Sequence, residues 1–263
     1  ALMHVPHPDP GAREGEGAGR VNPTAVLVTS CLGLFLIGVN TTAINTALNA
    51  IADQLEMGSS ALSWAVGIYM LAVAAFVVLG GRLGDLLGER VTFSIGLITF
   101  AIGALLVATA SGEVMVILGR LIQGLGSATL MPATMAMLRI AFPADRQGYA
   151  LGIWGATGGV AFALGPLIGG VLTHEVSWRW VWWGSLINAG ALGFIALGTL
   201  RAMPRPTERP RVDYVGVALL ALSLFSLILA LQEGPDWGWS SAESFASFAV
   251  ALAAGAALVA VEL

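Results

Sequence analysis

Apolar positions fill the chain in eight long runs, and the charges fall between them. Stretches free of Asp, Glu, Lys and Arg cover 21–52, 57–81, 91–112, 121–138, 147–174, 180–200, 214–232 and 244–261. A spanning helix needs about 20 apolar residues, because ~30 Å of hydrocarbon is crossed at 1.5 Å per residue. The runs predict spans near 25–47, 61–80, 92–110, 114–138, 149–173, 180–200, 213–232 and 245–263. The fourth is carried back across Arg120 to Val114. A helix satisfies its backbone polar groups within its own segment, which an open sheet in lipid cannot do. The expected fold class is therefore an all-α polytopic membrane protein.

Composition points the same way. The chain is 57% hydrophobic and 11% charged, whereas soluble domains carry about 25% charged residues. That leaves too little polar surface to cover a water-exposed globule, so the lipid bilayer is the expected solvent and partner. A net charge of −4 offers no broad basic face, and no nucleic-acid partner is expected. The single cysteine, Cys31, has no intrachain disulfide partner. Residues 1–24 form a polar tail rich in Gly and Pro. It has no apolar core of a signal peptide, so it reads as an uncleaved, disordered cytoplasmic segment.

Charge asymmetry sets the orientation. With the N-terminus inside, the cytoplasmic segments hold Arg13, Arg20, Arg82, Arg90, Arg139, Arg146, Arg201, Arg205, Arg209 and Arg211. The outer loops hold only Arg179. This bias predicts a multi-pass protein of the cell membrane with a cytoplasmic N-terminus. Trp178, Trp180, Trp182, Trp183, Trp237 and Trp239 gather near the predicted outer ends, where amphipathic rings suit the interface. Segment 201–212, with three prolines and four arginines, reads as a cytoplasmic linker. It separates a bundle over 25–200 from a helical pair over 213–263. The end at Val261-Glu262-Leu263 precedes any cytoplasmic flank and reads as a truncation.

Polar residues inside this pattern are the candidate chemistry. Between spans two and three stands Gly80-Gly81-Arg82-Leu83-Gly84-Asp85-Leu86-Leu87-Gly88-Glu89-Arg90. Its glycines permit a tight turn, and Asp85 and Arg90 place opposite charges where two helix ends meet. The turn either anchors topology or gates. In span four, Arg120, Gln123, Gly124 and Ser127 recur at i, i+3, i+4 and i+7, a polar stripe on one helix face. An intramembrane arginine faces a cavity or a partner, or else snorkels to the nearby outer end. Span five carries Pro166 among Gly165, Gly169 and Gly170, which kinks the helix and opens a packing seam. In span one, Asn40, Asn45 and Asn49 either bond between helices or line a cavity.

These segments resemble the major facilitator superfamily. Gly81, Leu83, Asp85, Gly88 and Arg90 match its loop signature, while Leu86 and Glu89 replace basic residues. Asp145-Arg146 resembles the paired acidic-Arg step after helix four, and the Arg120 segment resembles the helix-four motif. Gly165-Pro166 with Gly169-Gly170 is similar to the antiporter motif, with Ala161 where a glycine usually leads it. Thr42, Asn45, Ala47 and Leu48 resemble the fourteen-helix drug:proton antiporter branch, where Asn40 stands in place of an aspartate. Asp213-Tyr214-Val215-Gly216 and Trp237-Gly238-Trp239-Ser240 look like that branch's two inserted helices.

The resemblance implies a six-helix N-terminal bundle plus two additional transmembrane helices, and proton-coupled export of small amphipathic compounds. It implies gating by Gly81, Asp85, Gly88, Arg90, Asp145 and Arg146, and proton coupling through Arg120. Asn45, Gln123, Ser127 and Trp154 would line the substrate cavity, and a C-terminal six-helix bundle would be the missing partner. The alternative is a half-transporter inactive alone. An enzyme fits poorly: His4, His7 and His174 form no triad or metal cluster, and a chain without lysine has no Walker A loop. No metal and no cofactor are expected.

Overall fold

A computed structural model describes residues 21–204 and 214–262. Eight helices account for the regular structure there apart from one short 3₁₀ turn at Ala144–Arg146. They are α1 (Pro23–Leu55), α2 (Ser59–Leu87), α3 (Glu89–Ala108), α4 (Glu113–Ala141), α5 (Gln147–Glu175), α6 (Arg179–Ala202), α7 (Tyr214–Trp237) and α8 (Ala242–Glu262). All eight are long and apolar enough to cross a membrane. The eight-span expectation holds. Residues 1–20 of the tail, 205–213 of the linker and Leu263, with His4, His7, Arg13, Arg20, Arg205, Arg209, Arg211 and Asp213, lie outside the described residues.

Helix ends depart from the charge-free runs. Segment 80–87, read as loop, continues α2, and only Gly88 makes the turn into α3. Gly88 has φ 81° and ψ 153°, a backbone region that a Cβ strains, so glycine is required there. Gly81 and Gly84 are helical. Glu233 and Asp236, which lie beyond the charge-free run 214–232, belong to α7. Helices extend beyond the hydrocarbon, where charge costs little, so apolar run length measures the slab rather than the helix.

Small residues set the packing. α3 and α4 run antiparallel through two glycine pairs. A Cβ on Gly96 would meet Leu130 N at 2.8 Å, and one on Gly126 would meet Gly96 O at 2.8 Å. One on Gly103 would meet Gln123 N at 2.5 Å, and one on Gly119 would meet Gly103 O at 2.9 Å. α1 lies parallel to α5 over Gly158, Ala161, Gly165 and Gly169, all buried. Ala161, where the family pattern has glycine, is answered across the seam: a Cβ on Gly38 would stand 2.7 Å from the Ala161 methyl. Of the antiporter motif, Gly165 and Gly169 seat α1, while Pro166 and Gly170 point away from it.

Pro166 removes an amide donor and frees the carbonyl of Phe162, one turn earlier. The Thr42 hydroxyl of α1 donates to that carbonyl at 3.0 Å. In lipid an unsatisfied carbonyl has no water to turn to. Thr42→Val is therefore expected to destabilise the bundle by about 1–3 kcal/mol, and Thr42→Ser far less. Thermal unfolding followed by tryptophan fluorescence checks this; equal midpoints for the valine variant and wild type would refute the clamp.

α7 and α8 pack chiefly on each other, and α7 also touches α2. At the opposite end of the bundle from Gly88, Arg179 donates to Gln54 Oε1 at 2.6 Å and to Ala110 O at 2.8 Å, tying together α1, α3 and α6. Trp178 and Trp182 are buried against this end, 2% and 1% exposed, so these two are interior rather than interfacial rings. Their i, i+4 spacing puts them on the bundle-facing side of α6, whereas Trp180 and Trp183 face out.

Candidate functional site

The polar stripe of α4 faces inward, onto α1, α2 and α6. Arg120 is 0% exposed and does not snorkel. Its Nε donates to Ala65 O at 3.2 Å; its Nη1 donates to Asn40 O at 3.4 Å and Gln123 Oε1 at 3.2 Å. The guanidinium lies 4.1 Å from the Tyr69 ring centroid, a cation–π contact. The planar fork reaches acceptors on three helices from two separate nitrogens, a spread that a lysine's single nitrogen lacks.

Gln123 passes the network on. Its Oε1 also accepts from Trp182 Nε1 at 3.1 Å, and its Nε2 donates to Asn40 Oδ1 at 3.3 Å. Asn40 Nδ2 donates to Ser185 Oγ at 2.8 Å. The Tyr69 hydroxyl shares a 2.8 Å hydrogen bond with Ser127 and accepts from Thr41 at 3.3 Å. Four helices thus meet at one buried polar cluster. Every partner of Arg120 is neutral, and no ion pair involves it among the described residues.

The other sequence candidates sit apart from this cluster. Trp154 is buried and donates to the Thr134 hydroxyl at 3.2 Å, closing α5 on α4. Asn45 is exposed and lines a cleft of about 420 Å³ between α1, α2 and α7, with Leu48, Leu62, Ser63, Val66 and Gln232.

At the end carrying Gly88, the charges pair only with near neighbours in sequence. Asp85 lies 3.9 Å from Arg82, both exposed, and no pair joins it to Arg90. Asp145 is 4.0 Å from its neighbour Arg146, both exposed. Such surface pairs contribute little. Gly81, Arg82, Asp85 and Glu89 instead line a cleft of about 370 Å³ with Pro132 and Arg139 of α4. Glu89 folds back over Gly84, and its Oε2 is buried without a hydrogen-bond partner.

Sequence reasoning missed Tyr69, Trp182 and Ser185 as site residues. Isolated polar groups in apolar runs were the available signal, but only the fold shows which of them meet.

This geometry defines a class: a multi-pass helical membrane protein with a buried cation held among neutral partners. The chain belongs to the Major Facilitator Superfamily, whose model matches residues 30–262. It is 30% identical over 238 residues to the tetracenomycin C resistance and export protein of Streptomyces glaucescens, covering 89% of this chain and 44% of that protein. It is 32% identical over 232 residues to the methylenomycin A resistance protein of Bacillus subtilis, covering 88% of this chain and 49% of that protein. The chain spans less than half the length of these relatives. Among solved structures, it matches a crystal structure of the peptide transporter POT in complex with sulfate with a TM-score of 0.63. That match has 15% identity and covers 89% of this chain and 50% of the other. It shows the shared fold.

Proposed function

We propose that this chain forms the N-terminal part of a secondary transporter that exports small amphipathic compounds in exchange for protons. The carrying observation is Arg120, a cation kept inside the membrane span by a four-helix network. Such a charge is costly there and marks ion or substrate pathways. The names of the resistance and export relatives support the direction of transport. In this reading the N-terminus is cytoplasmic, and Gly81, Asp85, Gly88, Arg90, Asp145 and Arg146 form the cytoplasmic gate. Gly165, Pro166, Gly169 and Gly170 shape the rocking helix α5. Asn45, Gln123, Ser127 and Trp154 border the substrate path.

The test is reconstitution of the complete protein that carries this chain in proteoliposomes. A panel of fluorescent amphipathic compounds is expected to move when a pH gradient is imposed and to stop when an ionophore collapses it. Movement indifferent to the gradient would remove proton antiport.

A second reading is a half-transporter that acts only with a further six-helix bundle. It is favoured by one face of α5, where Gly148, Gly152, Gly155 and Gly159 have nothing within 4 Å of their Cβ positions. Transport by the 263-residue chain alone would exclude it.

A further inference from the structure

We propose that the cleft between α1, α2 and α7 binds amphipathic anions, with a carboxylate or phenolate oxygen received by the Gln232 amide and attracted by the charge of Arg120. The inference rests on the transport reading only for its consequence, that such anions are the exported class.

Two donors near this cleft lack what they need. Gln232 Nε2 is buried with no hydrogen-bond partner, and an amide nitrogen can only donate. Its amide lies against Gly67 of α2, which leaves room for it by having no side chain. Arg120 bonds the backbone of α1 and α2, the two bundle helices that wall the cleft. Its Nε bonds the carbonyl of Ala65, the residue before Val66, which lines the cleft. Its Nη1 bonds the carbonyl of Asn40, five residues before Asn45, another lining residue.

The first six spans supply no countercharge; the one buried carboxylate among the described residues, Glu233, lies on α7 next to Gln232. The charge-free runs of the first six spans leave Arg120 as the one charged side chain between their ends, and Asn40 beside it carries an amide. A buried charge is normally compensated by an opposite one. An anionic oxygen therefore satisfies both the charge and the open donor, while Leu48, Leu62 and Val66 receive an apolar body.

The size of the preference follows from distance. At an effective dielectric of about 20, unit charges about 10 Å apart change affinity by a factor of about fifteen, in favour of an anion and against a cation.

Three probes of one shape separate charge from bulk: 1-naphthoate, 1-naphthalenemethanol and (1-naphthylmethyl)trimethylammonium. Equilibrium binding to the complete protein in nanodiscs is measured at neutral pH. Naphthoate is expected to bind at least about tenfold more tightly than the ammonium compound. Gln232→Leu is expected to cost naphthoate about tenfold, a charge-assisted hydrogen bond, and to leave the alcohol within about twofold. Should that variant not fold, Asn45→Leu and the wild-type probe order still decide. Equal or tighter binding of the ammonium compound, or no binding of naphthoate, overturns the proposal. The first result would arise if a carboxylate elsewhere in the protein neutralised Arg120. Selective naphthoate binding without export would sink the transport reading and leave this site standing; export of all three probes alike would do the reverse.

Discussion

Arg120→Ala in the complete protein is expected to reduce gradient-driven export to background while membrane insertion persists. The substitution removes the second donor from Ala65 O and Asn40 O, which keep their helical amide partners, and leaves Gln123 Oε1 with Trp182 alone. No acceptor is stranded, so the cost stays below the roughly 1–3 kcal/mol of an unsatisfied buried group, and removing an expensive buried charge returns part of it. Stability should thus change less than transport does. Arg120→Lys discriminates further. It keeps the charge and loses the fork, so it should remain strongly impaired if the network's geometry matters. Proteoliposome export rates, with insertion checked by membrane fractionation, provide the measurement. Wild-type export by the alanine variant would remove Arg120 from the coupling step.

Gly103→Ala is expected to be among the most damaging of the single-methyl changes. Its new Cβ would stand 2.5 Å from Gln123 N and 2.6 Å from Gly119 O, both backbone atoms that cannot swing aside. α4 must shift, and Gln123 shifts with it. Overpacking of this kind costs about 1–3 kcal/mol. Here it also displaces the group that joins Arg120 to Asn40 and Trp182. Gly190→Ala is the control: nothing lies within 4 Å of its Cβ position. That change should be neutral or slightly stabilising, because a helical glycine costs about 0.5–1 kcal/mol relative to alanine. Thermal unfolding midpoints of both variants in one detergent settle the comparison. Similar midpoints would mean the α3–α4 seam is looser than the structure describes.

Much of the fold was legible in the chain because lipid imposes a simple rule. Apolar runs must be helices of at least slab length, and each of the eight runs matches one. The stripe at Arg120, Gln123 and Ser127 was legible as well, since helical periodicity puts those residues on one face. Which neighbours that face would meet was not. Asn40, Tyr69, Trp182 and Ser185 lie in three other helices, and the contact is a property of how those helices cross. The partner of Asp85 was not legible for a related reason. Gly88 alone makes the turn, so Asp85 stays on α2 one turn from Arg82, rather than in a loop beside Arg90.

By itself the sequence determined the number of helices and the polar face of α4, because each depends on local composition and helical period. The tertiary structure decided that Arg120 is sealed among neutral partners, that Thr42 bonds the carbonyl Pro166 frees, and that Asn45 and Gln232 share a cleft. Those outcomes depend on the crossing and rotation of whole helices, which small residues permit but no single segment encodes.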